Sequence, residues 1–108
     1  MCVHLVAAGW TILFRNLRLG ALEIDVVARR GEVVAMCEVR TRGPGAYEGA
    51  LASVGPEKRA RLLRAADALF REHVAALEGA PRLRIDVAAV ALGPGPDDVR
   101  VEYIAGAL

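Results

Sequence analysis

The chain has 108 residues, of which 55% are hydrophobic and 25% charged, and its formal net charge is +1. These values predict one globular domain over residues 1–108, and they exclude a strong overall attraction to nucleic acid, so any such binding must arise from local charges. Charged residues interrupt every apolar stretch before the roughly 20 residues that a membrane span requires. The N-terminus lacks the basic segment of a signal peptide. We therefore expect a cytoplasmic protein without a membrane partner.

Turn and cap residues divide the first half of the chain into four elements. Gly9 can adopt the left-handed conformation that ends a helix, and Asn16 and Gly20 bracket a turn. Arg30-Gly31 provides a second, shorter turn. The predicted elements are a helix over residues 2–8 and strands over residues 10–15, 21–28 and 32–42.

The second half begins where Gly43-Pro44-Gly45 ends the third strand. Pro56 suits the first turn of a helix, and apolar residues then recur at three- and four-residue steps, which is typical of an amphipathic helix. Lys58, Arg61 and Arg64 are expected on its outer, basic face. The predicted elements are a loop over residues 43–55, a helix over residues 57–77 and strands over residues 82–92 and 99–104. The order of helix, three strands, helix and two strands indicates an α/β fold.

Charged side chains follow the alternation of two neighbouring strands. A period of two residues places Glu23 and Asp25 on one face of the second strand, and Glu38, Arg40 and Arg42 on one face of the third. If these strands pair as a hairpin, the carboxylates of Asp25 and Glu38 can meet.

Two converging carboxylates suit a hard cation such as Mg²⁺ or Mn²⁺, which prefers oxygen ligands and retains several waters. With the backbone carbonyl of Val39, Asp25 and Glu38 would form a metal site for phosphodiester chemistry, and Arg40 would orient the phosphate. The alternative is that these residues are solvated charges on an outer strand face, joined in ordinary cross-strand pairs.

Four blocks in the chain resemble, in order, the conserved blocks of the bacterial YraN family. They are AAGWTILFRNLR, LEIDVVARRGEVVAMCEVRTR, VGPEKRARLLRAA and RLRIDVAAV. That family is similar to restriction endonucleases and Holliday-junction resolvases. The resemblance therefore implies a restriction-endonuclease-like fold with a mixed sheet of about five strands flanked by helices.

The resemblance also implies roles for individual residues. Asp25 and Glu38 match the metal-binding acids of the family, Glu23 matches its accompanying acid, and Arg40 stands where the family has a catalytic lysine. A guanidinium stays protonated at any usable pH, so Arg40 can hold phosphate but cannot act as a general base. The family's first helix is longer and carries a Glu upstream of the position of Met1. We therefore expect either a misassigned start or the loss of that acid.

Other basic residues could contact nucleic-acid phosphates. Lys58 matches the basic residue that opens the family's long helix, and in relatives of this fold the catalytic lysine can migrate to such a helix. We assign Arg42, Lys58, Arg61 and Arg64 to nucleic-acid binding. The alternative is a solvated, solubilising helix face.

Asp86 lies near the start of a mostly apolar strand, where a buried carboxylate is costly unless it is paired. Arg84 lies on the same strand face two residues earlier. We therefore expect a structural ion pair here in preference to a third metal ligand.

Three functions are compatible with these features. The first is an endonuclease that uses Mg²⁺ or Mn²⁺ to cleave DNA, including branched or flapped DNA. The second is a nucleic-acid-binding module that has lost efficient hydrolysis, and the third is an accessory protein that binds a protein partner. A two-fold homodimer would suit symmetrical cutting, although no residue of the sequence identifies its interface.

Overall fold

The computed structural model describes residues 1–42, 54–95 and 97–108, with the backbone only at Arg42. The first half contains α1 (Cys2–Ala7), β1 (Thr11–Leu19), β2 (Leu22–Arg30) and β3 (Val33–Arg42). The second half contains α2 (Pro56–Leu69), a π-helical turn (Phe70–Val74), β4 (Arg82–Leu92) and β5 (Val99–Ile104). The predicted order of elements is confirmed, and the fold is α/β with a five-stranded mixed sheet flanked by helices.

The strands lie side by side in the order β1-β2-β3-β4-β5. Neighbouring strands are antiparallel except β3 and β4, which pair in parallel from Val33 opposite Arg82 to Arg42 opposite Ala91. Parallel neighbours need a crossover connection between their opposite ends. Here α2 and the π-helical turn lie within that crossover.

Hydrophobic residues cover both faces of the sheet. On one face, Leu62 and Leu69 of α2 pack in a buried cluster with Val34 and Met36 of β3. On the other face, a second cluster around α1 contains Leu5, Trp10, Ala35 and Cys37. The alternation of β3 therefore directs its even-numbered side chains, including Glu38 and Arg40, toward the α2 face.

The first strand is longer than predicted. β1 continues to Leu19, whereas the sequence predicted its end at residue 15 and a turn opening at Asn16. Asn16 instead lies within β1 with a φ of 50°, because asparagine tolerates the left-handed region without ending a strand. Gly20 and Ala21 form the turn. The predicted loop over residues 43–55 lies outside the described residues except at 54 and 55.

The predicted helix over residues 57–77 is not a continuous α-helix. After Leu69 the chain forms one π turn, in which the N–H of Ala75 donates a 2.8 Å hydrogen bond to the carbonyl of Phe70. This wider turn brings Val74 into the core. The apolar recurrence of residues 57–77 also predicted Leu63 and Phe70 on the inner face, but both are exposed. In the described ranges, no helix has both the length and the apolar content that crossing a bilayer requires.

Among the described residues, Asp86 is the acidic residue that is buried in the core, and it has no exposed surface. Its carboxylate accepts two 2.8 Å hydrogen bonds from Arg84, one from the Tyr103 hydroxyl and one of 2.9 Å from the Gly106 N–H. Burial and this contact raise the pKa of Tyr103. The predicted Arg84–Asp86 pair is therefore confirmed, and it joins β4 to β5 and to the chain after β5.

We predict that Asp86→Ala lowers the free energy of unfolding by about 3–5 kcal/mol, because it leaves the Arg84 guanidinium without its buried counter-charge. The matched control is Asp67→Ala, which removes an exposed pair with Arg71 and should cost at most about 1 kcal/mol. Urea unfolding of both variants measures the difference. Equal losses would contradict a structural role for Asp86.

Candidate metal and nucleic-acid site

The β2–β3 hairpin opens at Asp25. Backbone pairing runs from Arg30 opposite Val33 to Val26 opposite Cys37. Beyond this last pair, the N–H of Val39 on β3 donates a 2.8 Å hydrogen bond to Oδ2 of Asp25 on β2. A side chain thus accepts the hydrogen bond that the backbone of the neighbouring strand would otherwise accept, so the Asp25 carboxylate lies between β2 and β3.

The alternation of β2 changes at the same residue. Ile24 and Val27 both belong to the cluster on the α2 face, while Val26 and Ala28 belong to the cluster on the α1 face. The strict two-residue alternation predicted for residues 21–28 is therefore wrong at this point. Asp25 lines a cavity on each face of the sheet, rather than belonging to one face.

The carboxylate of Glu38 contacts two basic side chains of α2. Nζ of Lys58 lies 2.9 Å from Oε1 of Glu38, and Nη2 of Arg61 lies 3.7 Å from the same oxygen. The side chains of Lys58 and Glu38 are 10% and 13% exposed, whereas that of Arg61 is 51% exposed. The Lys58–Glu38 pair is therefore largely shielded from water.

The prediction that Lys58 lies on the outer face of the helix is wrong. Lys58 precedes the buried residues Leu62, Ala65 and Leu69 by four, seven and eleven positions, so it lies on the inner face of α2. This spacing was visible in the sequence. The prediction defined the inner face of the helix by its hydrophobic residues alone and therefore left Lys58 out.

Arg40 lies on the same face of β3 as Glu38 and is half-buried. Within the described chain, neither its buried Nε nor Lys58 Nζ has a partner in hydrogen-bonding geometry, although Lys58 is at ion-pair distance from Glu38. Buried donors without partners are costly. Both cations could therefore bind a further anionic group.

The surroundings of Asp25 disfavour its charged form. Burial raises the pKa of Asp25, and the nearby carboxylates of Glu38 and Glu23 raise it further, while the Val39 hydrogen bond and Lys58 act in the opposite direction. Burial also raises the pKa of the adjacent Cys37 thiol to about 12, so this thiol is not a ready metal ligand at neutral pH. The oxygens of Asp25 and Glu38 are the suitable donors.

The donor set fits a hard divalent cation. In a strand, the N–H and C=O of one residue point toward the same neighbour, so the Val39 carbonyl faces the opening that holds Asp25. The contacts of the described residues engage one oxygen each of Asp25 and Glu38. No group of three or more His, Cys, Asp or Glu that could hold a metal occurs in these residues. Two carboxylates and a carbonyl are a set that suits Mg²⁺, which retains waters and binds substrate phosphate.

The remaining predicted residues differ in their placement. Glu23 and Arg61 line the α2-face cavity together with Asp25 and Glu38. Glu23 also forms an exposed 3.7 Å pair with Arg18. Arg64 is exposed on α2 and is not part of the cavity lining. The side chain of Arg42 lies outside the part of the chain that the structure describes.

Comparison with known proteins gives one consistent family. The family model described as uncharacterised protein family UPF0102 matches residues 1–90. A UPF0102 protein of Sorangium cellulosum is 48% identical over 96% of this chain and 72% of its own length. UPF0102 proteins of Streptomyces coelicolor and Kineococcus radiotolerans are 46% and 44% identical, over 82% and 95% of this chain and 68% and 82% of their own lengths.

We predict that Lys58 and Glu38 are energetically coupled. A double-mutant cycle with Lys58→Met and Glu38→Gln should give a coupling free energy of about 1–3 kcal/mol in urea unfolding, because the pair is largely shielded from water. The same cycle with Arg61→Met serves as the control and should give less than about 1 kcal/mol, because Arg61 is half-exposed and more distant. Equal coupling free energies in the two cycles would show that Lys58 interacts with Glu38 no more strongly than Arg61 does.

Proposed function

This chain belongs to the uncharacterised protein family UPF0102, and we propose that it is a divalent-metal-dependent endonuclease that hydrolyses phosphodiester bonds in DNA. The family is the YraN family that the four sequence blocks predicted. One observation carries the proposal: Asp25 and Glu38 line one cavity, beside Lys58 and Arg61 from α2. The restriction-endonuclease-like layout implied by the resemblance supports it as an analogy of fold.

Asp25, Glu38 and the Val39 carbonyl would hold Mg²⁺ or Mn²⁺. The bound ion would polarise a phosphoryl oxygen and lower the pKa of bound water. The Val39 hydrogen bond fixes Oδ2 of Asp25, so the carboxylate needs no reorientation to offer its other oxygen. The ion pair with Lys58 holds Oε1 of Glu38 in place.

The two cations have different chemical capacities. The ammonium of Lys58 is a compact charge that can exchange its protons, whereas the guanidinium of Arg40 holds phosphate oxygens but keeps its protons. We therefore assign Lys58 to orienting the attacking water and exchanging its proton. Arg40 offsets the charge that develops on the phosphate.

Arg61 and Arg64 extend the positive charge along the exposed side of α2. Both are exposed, and Arg61 lines the cavity that Asp25 and Glu38 share. A DNA strand that places its phosphate between the carboxylates and the cations would have its neighbouring phosphates near this helix. These contacts would position the backbone without reading its sequence.

A second candidate is a nucleic-acid-binding module without efficient hydrolysis. The observation that favours it is Arg40 in place of the family's lysine. In such a module, Lys58 would act only as the counter-ion of Glu38. A comparison of binding with cleavage separates the two candidates.

We predict that the protein cleaves branched DNA in Mg²⁺ or Mn²⁺ and that Asp25→Asn abolishes this activity. Lys58→Met should lower the rate at least about 100-fold, because proton transfer by a positioned side chain contributes that much or more. Arg40→Lys should change the rate by less than about tenfold, since either cation can stabilise phosphate charge. A time course on labelled branched and linear DNA measures these rates.

Calorimetric titration with Mn²⁺ provides the control for that experiment. Asp25→Asn should lose metal binding, while Arg40→Lys should retain it. DNA that is bound but not cut by the wild type, with Mn²⁺ bound at the carboxylates, would favour the binding module. Cleavage that survives Asp25→Asn would locate the chemistry elsewhere.

We predict that DNA binding weakens steeply as salt rises, because phosphate contacts release counterions. Arg61→Ala and Arg64→Ala should each reduce the slope of log affinity against log salt by roughly 0.9, the value for one phosphate contact on duplex DNA. The control is Arg18→Ala, an exposed arginine of β1 paired with Glu23. Fluorescence anisotropy over a salt series measures the slopes. Affinity that does not change with salt would favour the protein-binding hypothesis.

A further inference from the structure

β5 forms an open edge of the described sheet. The opposite edge, β1, is interrupted by a register shift between Ile12 and Phe14 and by the left-handed backbone of Asn16. β5 keeps one register with β4 along its whole length, from Val99 opposite Leu92 to Ile104 opposite Val87. Irregular edges resist pairing with another chain, whereas a regular edge offers free N–H and C=O groups.

A hydrogen bond in the turn between β4 and β5 shows which backbone groups of β5 face outward. The N–H of Gly93 donates to the carbonyl of Asp98, which lies one position before β5 in the same register. In antiparallel pairs the bonds to a neighbour recur at every second residue, so Arg100 and Glu102 direct their backbone groups toward β4. Val101 and Tyr103 therefore direct their N–H and C=O groups to the open edge.

We infer that this edge pairs antiparallel with β5 of a second copy of the chain, with Val101 opposite Val101 of that copy. Residues whose backbone groups face outward must lie opposite one another across the interface. This condition allows the Val101 register and the next allowed register on either side. The neighbouring registers oppose Arg100 to Arg100, or Glu102 to Glu102, of the second copy. Only the central register opposes Arg100 to Glu102, twice by symmetry, and like charges directly opposite are destabilising.

The exposed side chains of the edge fit the same register. Val99 is 53% exposed and Val101 is 38% exposed, and they lie beside Leu92 of β4, which is 41% exposed. In the dimer, Val101 meets its own copy and Val99 meets Tyr103 of the second copy. Arg100 and Glu102 each have an interaction already. In the central register, Arg100 of one copy and Glu102 of the other form non-hydrogen-bonded pairs on the other face, where side chains are closest. The inference is independent of the proposed nuclease activity.

Sedimentation of the full chain over a concentration series tests this interface. The wild type should show a monomer–dimer equilibrium. Arg100→Glu and Glu102→Arg should each raise the dimer dissociation constant by about tenfold or more, because each creates two like-charge pairs. The double variant with both changes should return it to within about threefold of the wild type, because the opposite charges are restored.

Val101→Pro provides a second, independent variant. It removes an outward N–H without removing a hydrogen bond to β4, so it should abolish the dimer while far-UV circular dichroism still shows the fold. Val3→Ser, at a highly exposed site on α1, is the control and should leave the equilibrium unchanged. A wild type that remains monomeric at about 1 mM, well above typical specific affinities, would overturn the inference. So would a dimer that persists in both Val101→Pro and the single charge reversals.

Discussion

The hydrogen bond from the Val39 N–H to the Asp25 carboxylate determines the arrangement of the site. It replaces backbone pairing at the open end of the β2–β3 hairpin, and the alternation of β2 changes at the same residue. Asp25 consequently reaches a cavity on each face, while Glu38 stays on the α2 face beside Lys58. A serine or asparagine could accept the same bond, but neither would add a negative charge between the strands.

The net charge of +1 gives little indication of the electrostatics of this region. The nearby carboxylate of Glu38 raises the pKa of Asp25, and basic residues of two different elements lie on the same side of the sheet as Glu38. Lys58 comes from α2 and Arg40 from β3, and each has a buried nitrogen without a hydrogen-bond partner among the described residues. Opposite charges are thus concentrated at one end of the sheet, where solvent screening is weak.

The sequence predicted the features that depend on local pattern. The alternation of β3 placed Glu38 and Arg40 on one face, and the cost of a buried carboxylate predicted the Arg84–Asp86 pair. The inner position of Lys58 was missed because a lysine was excluded from the apolar stripe. The phase change at Asp25 could not be predicted, because it coincides with a hydrogen bond to a residue of the next strand. The π turn depends equally on packing, since it brings Val74 into a core formed by other elements.

The parallel pairing of β3 and β4 has a consequence for the folding kinetics of the chain. β1, β2 and β3 are consecutive antiparallel strands, so their contacts are local, whereas β4 pairs with β3 only after α2 has crossed over. Contacts between residues distant in sequence form slowly, because closing the intervening loop costs entropy before the contacts contribute any stability. The two carboxylates therefore come together in the early meander, and Lys58 arrives with the late crossover. The ion pair between Lys58 and Glu38 can form only when α2 docks, so docking of this helix and completion of the site occur together.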